Sequence, residues 1–172
     1  MRSIEQKLER RLSGYWKMEA ANVVIIPLVA FLAAKQDEAV EIGAMAVVYA
    51  GVALLLVVGA AYWRGVLKRR RGETQPLERA LRLADVAERP ALILIVLAAI
   101  ANIALMLGGS FAGPEIACLG GLLLLILEYV NYYRVQLQHF DHAADLKRLL
   151  SGKGFRRAHM ARDLAAYRAR RR

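Results

Sequence analysis

A single cysteine, Cys118, is all the thiol chemistry in the chain, which excludes an internal disulfide and any zinc cage built from thiolates. Cys118 stands inside an apolar run, where a thiol behaves as a small inert hydrophobe. Histidine is nearly as scarce, with only three residues. His139 and His142 would share a helical face, as would Asp141 and Asp145, but the four do not converge, so neither a metal nor a cofactor is expected. No catalytic or nucleotide-binding signature occurs, and no catalytic residue is assigned. Met1-Arg2-Ser3 lacks the glycine that myristoylation requires, and the last four residues are not a prenylation box. The first apolar run is followed by Lys35-Gln36-Asp37-Glu38 and not by a small-residue cleavage site, so it is expected to be retained as a span.

Charge is missing from long stretches of a chain that is otherwise strongly basic. Hydrophobic residues make up 58% of the chain and the mean hydropathy is +0.33, yet the formal net charge is +10. The two facts are reconciled by segregation: apolar blocks with the charges between them. A helix needs about 20 apolar residues to cross roughly 30 Å of hydrocarbon. Four blocks approach that length and predict spans at 18–34, 42–63, 90–107 and 116–133. Tyr15 and Trp16, Tyr62 and Trp63, and Tyr129, Tyr132 and Tyr133 stand where aromatic belts form. Pro27 predicts a kink in the first span, and Pro90 is expected in the first turn of the third. The expected fold is an all-α membrane protein, a four-transmembrane-helix antiparallel bundle with cytoplasmic amphipathic helices.

Around the 18–133 domain the pattern predicts a basic amphipathic arm at 1–17, a loop at 64–89 holding a mixed-charge helix, and a basic tail at 134–172. Amphipathic helices are expected in the tail over 134–150 and 156–168, separated by Ser151-Gly152-Lys153-Gly154. Of the 25 Lys and Arg residues, all but Lys35 fall in the arm, the loop or the tail, while the opposite connections carry Asp37, Glu38, Glu41 and Glu115. Basic connections stay in the cytoplasm, so both termini are expected there, in a bacterial cytoplasmic membrane. Such a polybasic face attracts anionic lipid headgroups at about 1 kcal/mol per well-placed side chain. Arg156, Arg157, Arg168, Arg170, Arg171 and Arg172 are the expected contacts. Nucleic acid is not an expected partner, because only Phe155 and Tyr167 interleave with the tail's arginines for base stacking.

Helices in lipid associate through close packing at small residues. Gly43, Ala46, Ala50, Ala53, Val57 and Ala60 form such a seam in the second span, leaving Gly51 and Gly59 for a second contact, including one to another protomer. Ala91, Leu94, Ala98, Ala101, Leu105 and Gly108 form the seam of the third. The polar residues inside the spans carry the most information, because an ionisable group at that depth is costly. Glu19 and Asn22 form an i, i+3 couple in the first span, continued by Ile26, Val29 and Ala33. Glu128 and Asn131 form another in the fourth, continued by Leu124, Gly121 and Ala117. Antiparallel packing puts both couples at one level near the basic end, with Arg64 or Arg89 as countercharge. Asn102 is expected to clamp neighbouring helices. The favoured function is a non-enzymatic accessory or scaffold protein that binds anionic lipid or a partner. A small oligomeric transporter or channel using Glu19 and Glu128, or a lipid-modifying enzyme, are the alternatives.

Overall fold

The computed structural model describes residues 2–36, 38–108, 113–137 and 156–171. Among these residues five helices form: α1 (Arg2–Ala34), α2 (Ala39–Arg70), α3 (Gln75–Leu107), α4 (Gly113–Tyr133) and α5 (His159–Ala169). Four of them are long and apolar enough to cross a membrane, and they run alternately up and down as the short turns require. α1 ends at Lys35, which adopts a left-handed φ of 51°, and the Gln36 side-chain amide donates to the Phe31 carbonyl at 2.8 Å, satisfying one of the carbonyls a helix end exposes. The Glu38 N–H donates to the Glu41 carboxylate at 3.1 Å and opens α2. Gly72, at φ +87°, turns the chain into α3. Gly65 lets α2 approach so closely that a Cβ there would lie 2.7 Å from Leu77 Cα.

Length separates α4 from the rest. At about 1.5 Å per residue, the 33 residues of α1 and of α3 and the 32 of α2 reach roughly 50 Å, whereas the 21 of α4 reach about 31 Å. Only α4 therefore matches the roughly 30 Å hydrocarbon layer; the other three overshoot it at the basic end. No break separates the arm at 1–17 from the first span: α1 is one helix, and Leu12 packs into the protein with 6% exposure. The loop placed at 64–89 is mostly helix as well, with only residues 71–74 between α2 and α3. Pro90 lies inside α3, not at its start; the mixed-charge helix and the third span are continuous.

α5 occupies the layer that α4 is too short to enter. After α4 the Arg134 and Val135 N–H groups return to the Val130 carbonyl, Val135 pairs antiparallel with Arg157, and Gln136 N–H donates to the Arg156 carbonyl at 2.8 Å. A helix therefore does not begin at Arg134; the rest of the helix expected over 134–150, with His139, Asp141, His142 and Asp145, lies outside the described residues. α5 packs against α3 and α4 and buries Met160, Leu164 and Tyr167. Arg168 Nε donates to Asp85 and its Nη2 to Glu88, both at 2.6 Å.

α2 is the central helix: 56% of its apolar span is buried, against 11% for α1, 22% for α3 and 33% for α4. Its buried face runs through Met45, Val48, Val52, Leu55, Gly59 and Tyr62. The expected seam of small residues is overturned, because Gly43, Ala46, Ala50 and Val57 face outward. Gly51 and Gly59, expected to serve a second contact, receive Leu125 and Tyr132 of α4. A helix packed on three sides needs bulk to fill its core and glycine only where a large neighbour presses in. The α3 seam holds at Ala91, Ala98 and Leu105. Outward faces such as Val24, Leu28 and Leu32 of α1 and Ile93, Ile100 and Ile103 of α3 remain exposed, as lipid contact requires. The first-span face departs from expectation beyond Ile26: Val29 and Ala33 turn outward, while Ala30 and Ala34 turn in.

Candidate functional site

Glu19 and Glu128 do meet, and a third residue joins them. Tyr132, one helical turn past Glu128 on the same face of α4, donates its hydroxyl to Glu19 Oε1 at 2.7 Å. The Glu128 carboxyl lies beside the Tyr132 hydroxyl and the Asn131 amide, close enough to interact with both. Glu19 and Tyr132 are 6% and 3% exposed. One oxygen of each carboxyl, Oε2 in both cases, is buried and meets no protein donor among the described residues. α2 makes the space: a Cβ at Gly59 would collide with the Tyr132 hydroxyl. The cluster thus depends on an acid from α1, an acid and a phenol from α4, and an absent side chain in α2.

The Asn131 side-chain oxygen accepts the Leu137 N–H at 3.0 Å, which fixes the chain as it leaves α4. Asn22 lies half-buried one turn beyond Glu19. Neither expected countercharge reaches the carboxyls: Arg64 is exposed with its guanidinium 5.8 Å from the Trp16 ring centre, and Arg89 is exposed on α3. Asn102 clamps as expected, its amide donating to Ala98 O at 2.9 Å in its own helix and to Cys118 O of α4 at 3.4 Å.

The aromatic residues at this level are not a lipid-facing belt. Tyr129, Tyr132 and Tyr133 are all buried; Tyr133 donates to Ala84 O of α3 at 2.8 Å and stacks on Tyr129 at 5.1 Å between centroids. Tyr62 is buried and donates to Asp163 of α5 at 3.0 Å. Trp63 lies against Tyr62 and Tyr15, at 5.2 and 5.9 Å. They join α4 and α5 to the bundle.

Beneath this layer a cleft of about 770 Å³ opens among α1, α2, the end of α4 and α5. Arg11, Arg69, Arg70, Arg156 and Arg162 line it, with Asp163 as its only carboxylate among the described residues. Its apolar side is Leu8, Leu12, Tyr15, Trp63 and Val66, and Asn131 and Tyr132 reach it from α4.

The tail arginines divide. Arg168 is committed to Asp85 and Glu88, and the bond to Glu88 pushes its pKa above the ordinary arginine value. Arg171 lies 5.6 Å from the Tyr167 ring centre, Arg156 lines the cleft, and Arg157 and Arg170 are exposed. Arg172 lies outside the described residues. No group of three or more metal-ligating side chains occurs among the described residues. The sequence reading took Gly59 for a packing contact and Tyr132 for a belt residue, not for parts of this cluster, and the Arg168 partners escaped it. The i, i+4 spacing of Glu128 and Tyr132 was a usable signal, whereas Asp85 and Glu88 lie some eighty positions from Arg168 and gave none.

The class is clear: an all-α membrane protein of four spanning helices, with a fifth helix docked on the basic end. No protein-family model matches the chain, and neither the curated proteins nor the solved structures contain a match to it.

Proposed function

We propose that this chain is a non-catalytic accessory protein of a bacterial cytoplasmic membrane, whose basic end faces the cytoplasm and holds anionic lipid headgroups. The observation that carries the reading is how charge is disposed at that end. Glu9, Glu73, Asp85, Glu88 and Asp163 are in ion pairs. Arg10, Arg70, Arg79, Arg82, Arg89 and Arg170 are exposed and form no ion pair among the described residues. An acidic membrane-protein partner or a second copy of the chain would compete for the same face. In nanodiscs, replacing part of a phosphatidylcholine bilayer with phosphatidylglycerol should raise the melting temperature of the full chain. The gain should shrink as the Debye length falls from about 10 Å at 0.1 M salt to about 3 Å at 1 M. Equal stability in both lipids at low salt would defeat the reading. The orientation is tested separately: in intact cells, an impermeant thiol reagent should label a cysteine placed at Gln36 but not one at Gln75.

The Glu19–Tyr132–Glu128 cluster favours a second reading, a small transporter or channel, oligomeric or not, that takes a proton or cation at this level. One phenolic hydrogen cannot serve two carboxyls at once, and the two unpartnered oxygens are acceptors that a proton or small cation would satisfy. Glu128→Gln keeps the shape and a polar group beside Tyr132 and Asn131 while removing the ionisable group. Under this reading it abolishes proton-dependent flux in liposomes and leaves the melting temperature near that of the native chain. No flux in either protein would leave the cluster as interhelical glue.

A further inference from the structure

We infer that the cleft at the basic end is a binding site for a phosphate group carried on an apolar or aromatic body. Its volume of about 770 Å³ lies in the range of roughly 300–1,000 Å³ that holds small ligands. Charge is the first argument. Among the described residues five arginines face a single carboxylate, and that carboxylate is already engaged by the Tyr62 hydroxyl at 3.0 Å and by Arg69 at 3.6 Å. Four other acids of the basic end, among the described residues, are engaged outside the cleft: Glu9 on Arg71 at 3.1 Å, Glu73 on Lys68 at 2.8 Å, and Asp85 and Glu88 on Arg168. Arg70 is exposed and has no ion-pair partner among the described residues. The planar fork of a guanidinium matches phosphate oxygens in pairs, which a single carboxylate of a ligand would exploit less fully.

The opposite wall is the second argument. Leu8 and Leu12 of α1 and Trp63 and Val66 of α2 face the cleft, with Tyr15 and Trp63 stacked obliquely at 5.9 Å. A bare inorganic anion would use only the arginines. A phosphate attached to a glycerol backbone and acyl chain, or to an aromatic ring, uses both walls. The phosphate has two possible sources, an anionic phospholipid or a water-soluble phosphate ester. The lipid source deepens the proposal that the basic end holds anionic lipid and rests on it; the soluble source does not.

The test is the melting temperature of the full chain in neutral detergent, titrated in parallel with phosphatidic acid, phosphatidylcholine, naphthyl phosphate and inorganic phosphate, since a ligand that binds only the folded state raises it by mass action. The expected result is saturable stabilisation by phosphatidic acid, by naphthyl phosphate or by both, whichever is the source, at concentrations where inorganic phosphate and phosphatidylcholine have little effect. Arg70→Gln with Arg156→Gln should weaken that binding tenfold or more, and Arg70→Gln alone several-fold. Arg82→Gln with Arg89→Gln, on the exposed side of α3, should leave it unchanged, and each variant's ligand-free melting temperature reports that the fold is intact. Equal weakening by the cleft pair and the α3 pair, or undiminished binding in the cleft pair, would overturn the cleft while leaving lipid binding by the basic end standing. Stabilisation by naphthyl phosphate alone, lost in the cleft pair, would uphold the cleft and remove the lipid reading. No saturable stabilisation by any probe would overturn the cleft.

Discussion

Gly59→Ala is expected to destabilise the bundle by about 1–3 kcal/mol in reversible unfolding from mixed micelles, a large effect for one methyl group. The added Cβ would stand 2.6 Å from Tyr132 Cζ and nearer still to its hydroxyl. α2 has little room to retreat, because Val58 and Tyr62 beside Gly59 are themselves buried. Overpacking of this kind costs about 1–3 kcal/mol. If Tyr132 swings out instead, the Glu19 carboxyl loses its donor, and a buried polar group left unpaired costs about 1–3 kcal/mol. Tyr132→Phe makes the second loss without the first. The double variant Gly59→Ala/Tyr132→Phe should therefore be more stable than the sum of the single losses predicts, by about 1 kcal/mol or more, because the hydroxyl is the main obstacle. Additive losses, or a Gly59→Ala protein as stable as the native one, would mean that α2 and α4 are not wedged at this point.

Reversing the charge at Arg168 should undock α5. In the native chain the guanidinium bonds two carboxylates, Asp85 and Glu88. With side-chain exposures of 41%, 31% and 18%, solvent screening holds each pair to about 1 kcal/mol or less. Arg168→Glu turns two attractions into two repulsions of similar size, so docking should weaken by about 2–4 kcal/mol. That is tenfold or more in the population of undocked tail, read as faster proteolysis in the segment 156–171. Spectroscopic helicity of the four long helices should be unchanged, because their packing does not pass through α5. Adding Asp85→Arg and Glu88→Arg should restore protection. Proteolysis of Arg168→Glu at the native rate would show that Met160, Leu164 and Tyr167 hold the helix without the ion pairs.

Much of this architecture is legible residue by residue. The uncharged blocks marked all four spanning helices, because hydrocarbon tolerates neither charge nor exposed backbone over about 20 residues. The level shared by Glu19 and Glu128 followed from helix register and antiparallel packing alone. Boundaries were another matter. Charge marked where lipid ends, and it says nothing about where a helix ends. α1, α2 and α3 therefore run on through their charged segments, held by one another. The small-residue rule also misassigned α2, since it describes helices touching one neighbour and α2 touches all three other spanning helices.

By itself, the sequence determined the class of the protein: how many helices cross, that they alternate, and that basic charge gathers at one end, all consequences of transfer from water to lipid counted along the chain. The tertiary structure alone decided that Tyr132 links the two acids across Gly59, that Arg168 is a clamp and not a free lipid contact, and that five arginines share a cleft. Those depend on which faces meet and on partners as far apart as Glu19 and Tyr132, and periodicity along a chain carries no term for contact between such distant residues.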